Sequence, residues 1–188
     1  MKTSWRIGGW REPFRLMPFT PYHFGPGAAL HSLAPRRISF FAFCAANVFT
    51  DFEPLYHMLR HEGRVHGFFH TYIGATVTAA ITVIAFAAAR RLGVRLPALG
   101  PFQEREIGLA AVAAGAATGT WSHVLLDSIF HNDIYPFEPF SDASPLARAL
   151  SHTTIEVGCV ISAGAGVLIL TARWLAARRR GSTGTTRS

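Results

Sequence analysis

Apolar runs without charge constrain this chain before anything else does. Residues 72–89, "YIGATVTAAITVIAFAAA", are uncharged over 18 positions, and residues 107–126 hold no Asp, Glu, Lys or Arg over 20. A third run, 157–172, is uncharged over 16 positions, and a fourth, 38–50, over 13. Crossing a bilayer takes about 20 mostly apolar residues, within a range of about 17–25. Runs 72–89 and 107–126 therefore qualify outright, and 157–172 qualifies with its flanks. Run 38–50 qualifies only if it continues into 51–59 inside a bundle. The shorter run 24–34, which contains His31, reads as a half-helix entering the membrane. Several runs lack the polar face that a surface helix needs. Ala, Gly, Ser and Thr dominate three of them, which lets helix backbones approach closely in lipid. The expected fold is all-α: an integral-membrane bundle of about four to five helices.

Charge supports that reading. The net charge is +7, and Lys2 is the only lysine. Three arginine clusters lie in the body of the chain, at Arg36–Arg37, at Arg90–Arg91 with Arg95, and at Arg178–Arg180. Each cluster flanks an apolar run, where positive charge marks the cytoplasmic side. Nucleic acid is therefore not an expected partner. With all three clusters inside, Asp51, His66, His70, His123, Asp127 and His152 fall at the outer end. Lys2, Arg6, Arg11 and Arg15 fit this orientation poorly, because residues before His23 would then lie outside. Residues 1–16 carry charge throughout and show no apolar stretch of the signal-peptide kind.

The expected organisation is a loose N-terminal extension over 1–16, one membrane-embedded domain over 17–178, and a disordered basic tail over 179–188. Residues 93–104 and 132–150 read as loops rich in proline and glycine or aromatics. Cys44 and Cys159 lie in apolar stretches and read as free thiols.

The groups that carry chemistry gather at the predicted outer end. Candidate metal ligands are His23, Asp51, Glu53, His66, His70, His123 and Asp127. His66/His70 and His123/Asp127 are each four residues apart, the spacing that shares a helix face. Pro54 is expected to hold "DFEP" away from helical geometry, so that Asp51 and Glu53 point the same way. His131 and Asp133 read equally as outer supports of a site or as helix-end residues. Asp142 reads as a turn residue. His57, His61 and His152 read as solvated or interfacial, and Tyr72, Trp121 and Trp174 as interface aromatics. Ionisable groups at membrane depth are costly and tend to mark function. Imidazole with carboxylate suits zinc first, with manganese or iron as alternatives, over calcium. One ion with outer supports and two ions both remain open at this point.

The order "H…DFEP…HGFFHT…SHVLLD" resembles the YdjM-like family of LexA-regulated, inner-membrane metal-dependent hydrolases. The family shows an early histidine, an acidic motif before proline, a two-histidine motif, and Ser-His-x-x-x-Asp. Here these fall on His23, on Asp51 and Glu53, on His66 and His70, and on Ser122, His123 and Asp127. The resemblance covers most of residues 17–145. Gly67 stands in place of the arginine after the first histidine, and Thr71 in place of a serine. The resemblance implies a bacterial inner-membrane, multi-pass hydrolase that uses a divalent transition metal.

A metal-activated water needs a carboxylate to take its proton, and Glu53 or Asp127 is the expected catalytic group. The expected substrate is a small molecule or lipid, a lipid or envelope phosphoester by location alone. A non-catalytic metal-binding or transport protein is the alternative. There is no Gly-x-Ser-x-Gly elbow, P-loop or dinucleotide fingerprint.

Overall fold

The structure, a computed structural model, describes residues 21–60, 64–94 and 107–183. The expected extension 1–16, most of the loop 93–104, Arg95 and His61 lie outside the described residues. The described residues form five α-helices in order: α1 Phe24–Leu33, α2 Phe40–Leu59, α3 Tyr72–Arg91, α4 Leu109–Phe130 and α5 His152–Thr183. Short 3-10 turns at Pro21–His23 and Phe68–His70 precede α1 and α3. No strand occurs among the described residues.

Among the described residues, three helices are long and apolar enough to cross a membrane: α3, α4 and α5 over His152–Arg180. Their outward surfaces carry Ile84 at 68%, Ile161 at 65% and Leu168 at 72% exposure. Water would penalise that pattern, and lipid tails would not. The inside is the reverse. Thr50, Thr82 and Thr120 are buried, and each hydroxyl donates to a carbonyl one turn back in its own helix. The expected first run does continue: α2 is one helix from residue 40 to 59. The run 24–34 forms α1, which at about 1.5 Å per residue reaches only half-way across a bilayer core.

α2, α3 and α4 pack as one layer around Ala42, Ala46, Ala79, Ala111, Val112 and Ala116. Small residues set the spacing. A Cβ on Gly115 would fall 2.2 Å from the Ser39 carbonyl oxygen, and one on Gly119 would fall 2.7 Å from that of Phe43. Ser39 caps α2 by accepting the Ala42 N–H, and its own N–H donates to the Ala111 carbonyl. α1 runs beside α5 in the same direction, with Gly25 against Cys159, Gly166 against Ala28, and Arg173 donating to the Ser32 carbonyl. Cys44 and Cys159 are not joined in a disulfide.

The two ends of the bundle differ chemically. At one end Arg90 donates to the Ile107 carbonyl and Arg36 and Arg37 join α1 to α2. At the other end lie His23, the second half of α2, the turn before α3 and the last turns of α4.

Three local expectations need correcting. α2 passes through Pro54 without breaking, although that proline has no N–H to donate to Thr50. Burial of Asp51 and Pro54 on the packed face holds the helix on, and Asp51 and Glu53 consequently leave α2 on different sides. His66 and His70 do not share a helix: His66 lies in irregular backbone and His70 ends a 3-10 turn, ahead of the Thr71 cap of α3. Finally, α5 continues to Thr183, so residues 179–183 of the expected tail are helical. Arg178–Arg180 complement the negative end of that helix.

Candidate metal centre

α4 supplies the axis of the site. His123 and Asp127 are four residues apart on one face, and Nε2 of His123 lies 3.0 Å from Oδ2 of Asp127. α2 runs alongside and presents Asp51, whose Oδ1 is 3.1 Å from the same Nε2. One turn earlier on α2 is Asn47. Its amide nitrogen donates to the Phe43 carbonyl at 2.9 Å, so its oxygen faces Nδ1 of His123 at 3.0 Å. The Asn47 oxygen thus accepts from Nδ1 of His123, and Nε2 lies buried between two carboxylates without a hydrogen bond.

His70 enters from the turn before α3. Its Nε2 is 3.6 Å from Oδ2 of Asp127 and its Nδ1 is 3.7 Å from Oε2 of Glu53. Both ring nitrogens are buried and neither has a hydrogen-bond partner. His23 closes the fourth side. Its Nε2 lies 3.3 Å from Oδ1 of Asp127, its Nδ1 lies 3.2 Å from Nδ1 of His123, and burial pushes its imidazole below the ordinary value.

The expected ligands therefore converge, with a division of labour among them. Ligand atoms of Asp51, His70, His123 and Asp127, one from each, lie within 4.8 Å of one another. His66, Asp127 and His131 form a second such group. Glu53 and His23 stand outside both. Glu53 accepts the Phe69 N–H at 2.8 Å, and a Cβ on Gly67 would come within 2.7 Å of its Oε1. Gly67 thus makes room for Glu53.

Asp133 anchors the outer rim. It accepts from Nδ1 of His66 at 2.9 Å and from the His66 N–H at 3.3 Å. Partial burial raises its carboxyl, but the bonded His66 outweighs that and holds it below the usual range. Burial pushes the His131 imidazole down to about 4. Asp142 is exposed, and His152 is exposed and stacked on Phe130.

Asn47 was not among the candidate residues. Its signal was its place four residues before Asp51, on the same helical face.

A metal ion fits this donor set. Ligand atoms of two imidazoles and two carboxylates crowd within 4.8 Å of one another inside a buried space, and polar atoms left there without hydrogen bonds are costly. A divalent cation satisfies all of them at once, and Asn47 gives His123 the outer partner that metal-bound histidines usually have.

A cleft of about 720 Å³ opens beside the site. Its wall includes Gly67 and Thr71, the chain neighbours of His66 and His70, together with Phe68 and Phe140. Arg64 lies in the same wall, gripped by Glu138 through two N–H···O bonds of 2.8 and 3.1 Å.

No family model, curated protein or solved structure matches the chain.

Proposed function

We propose that the chain is a membrane-bound, metal-dependent hydrolase of the bacterial inner membrane. Asp51, His70, His123 and Asp127 would hold the ion, with zinc the preferred metal and manganese or iron the alternatives. The observation that carries this reading is the convergence of four buried ligand atoms, one each from Asp51, His70, His123 and Asp127, with Nε2 of His123 and both ring nitrogens of His70 lacking hydrogen bonds. An ion so held lowers the pKa of a bound water towards about 7 and polarises the group to be cleaved.

The chain's own residues divide the remaining work. Asp127 sits among the ligands, so its oxygens serve the ion. Glu53 lies outside the ligand groups, touches Gly67 on the wall of the cleft, and is the carboxylate placed to accept a proton. Its bond from the Phe69 N–H keeps it oriented. Asn47 fixes the tautomer of His123. The cleft beside the centre, with Phe68 and Phe140 at its wall, suits a substrate with an apolar part, and the ion would take an anionic part. A lipid or envelope phosphoester has both.

The test is metal content together with hydrolysis. Purified gently in detergent, the protein should carry near-stoichiometric transition metal and hydrolyse members of a panel of phosphomonoesters and phosphodiesters, lipid-linked and soluble. Metal below about a tenth of an equivalent would overturn the centre. Full metal with no turnover on the panel would favour a binding or transport role.

A further inference from the structure

We propose that the centre holds two cations, bridged by Asp127, and that His66 and His131 ligate the second while Asp133 positions His66. The inference rests on the metal centre proposed above and adds a ligand, His131, outside the motif residues.

The placement of three α4 residues carries it. His123, Asp127 and His131 succeed one another at intervals of four, and the His131 N–H still donates to the Asp127 carbonyl at 2.8 Å as the helix ends. They form one stripe with the carboxylate in the middle. Asp127 is therefore the residue common to both ligand groups, with Asp51, His70 and His123 on one side and His66 and His131 on the other. One carboxylate has two oxygens, and ions in two-metal sites sit about 3.5–4 Å apart.

The geometry of the second group fits a shared ion. Its three ligand atoms lie within 4.8 Å of one another. Bonds of about 2.0–2.2 Å place ligand atoms about 3–4 Å apart on one ion, so small side-chain rotations would close the set. The His66 and His131 rings are 4.3 Å apart between centroids.

An independent observation is the orientation of His66. Both carboxylate oxygens of Asp133 lie at hydrogen-bond distance from Nδ1, at 3.0 and 2.9 Å. The Val65 and His66 N–H groups hold that carboxylate at 3.4 and 3.3 Å. The proton of His66 therefore belongs on Nδ1, and Nε2 is left as the ligating lone pair. A carboxylate behind a histidine in this way is the usual support of a metal ligand. Two-ion centres are suited to in-line displacement at phosphorus, which narrows the proposed substrate to a phosphoester.

The experiment uses the full chain in detergent, loaded with Mn²⁺, and reads metal by elemental analysis and by electron paramagnetic resonance. Wild type should bind about two equivalents and show an exchange-coupled spectrum. His131→Ala and His131→Asn should each fall to about one equivalent with a single-ion spectrum. Asp133→Asn should weaken the second equivalent about 10–100-fold while leaving the first unchanged. One equivalent in wild type, unaltered in His131→Ala, overturns the second ion and leaves the single-ion centre standing. Two equivalents retained in both His131 variants overturns the assigned ligands. Less than about a tenth of an equivalent in wild type overturns both readings. Should the His131 variants fail to fold, the wild-type spectrum and the Asp133→Asn titration decide.

Discussion

Nε2 of His123 on α4 lies 3.1 Å from Oδ1 of Asp51 on α2, both of them buried. Two helices far apart in the chain thus meet at one pair of candidate ligand atoms. Removing either side should therefore remove the ion. Asp51→Ala and His123→Ala are expected to lose bound metal to below about a tenth of an equivalent, read by elemental analysis. Chelation of the wild-type protein should lower its melting temperature, and added Zn²⁺ should restore it. An ion present at about 1,000 times its dissociation constant stabilises by about 4 kcal/mol. No shift on chelation would contradict a bound ion.

Glu53 and Asp127 should separate under substitution. Glu53→Gln keeps its size and its contact with the Phe69 N–H, so metal content should be unchanged. Turnover should fall by about 10²–10⁴-fold, the range for loss of a general base. Asp127→Asn should lose metal and turnover together. Loss of metal in Glu53→Gln would make that residue a ligand.

Acid should strip the centre. Imidazole ligates in its neutral form, so protons compete with the ion and affinity falls as pH falls. Dialysis from about pH 7.5 to about pH 5 is expected to release the metal, and return to about pH 7.5 with Zn²⁺ to reload it. Retention at about pH 5 with unchanged occupancy would argue for ligands other than histidine.

Close helix contact should be measurable at one glycine and absent at another. Gly115→Ala places a Cβ 2.2 Å from the Ser39 carbonyl, so α2 and α4 must separate. The cost is about 1–3 kcal/mol, read as a lower melting temperature in detergent. Gly158→Ala meets nothing within 4 Å and should be neutral or stabilising by up to about 1 kcal/mol. Equal effects of the two would contradict the α2–α4 packing.

Orientation can be read with thiol labelling in a background lacking Cys44 and Cys159. Ser141→Cys, at the metal end, should react with an impermeant reagent in intact cells. Leu92→Cys, 82% exposed at the arginine end, should not. The reverse pattern would invert the topology.

Much of this was legible in the chain itself. Each apolar run became a helix, 24–34 became the half-length α1, and His123 and Asp127 did share a face, because four-residue spacing is a local property of any helix. The His66/His70 spacing pointed to the right neighbours for the wrong reason. A tight turn, not a helical face, brings their rings to 4.7 Å. Pro54 also misled, because local backbone preference is weaker than the packing of a buried helix face.

The sequence alone determined that the chain forms apolar helices, that the arginine clusters gather at one end, and that imidazole and carboxylate gather at the other. Composition and period are short-range properties, and they can be read without coordinates. Only the tertiary structure decided the partners. Asp51 falls in one group with His70, His123 and Asp127 and Glu53 does not, Asn47 bonds His123, and His131 meets His66 ring to ring. Those relationships depend on helices touching side by side at a few ångströms, and no local pattern encodes that distance.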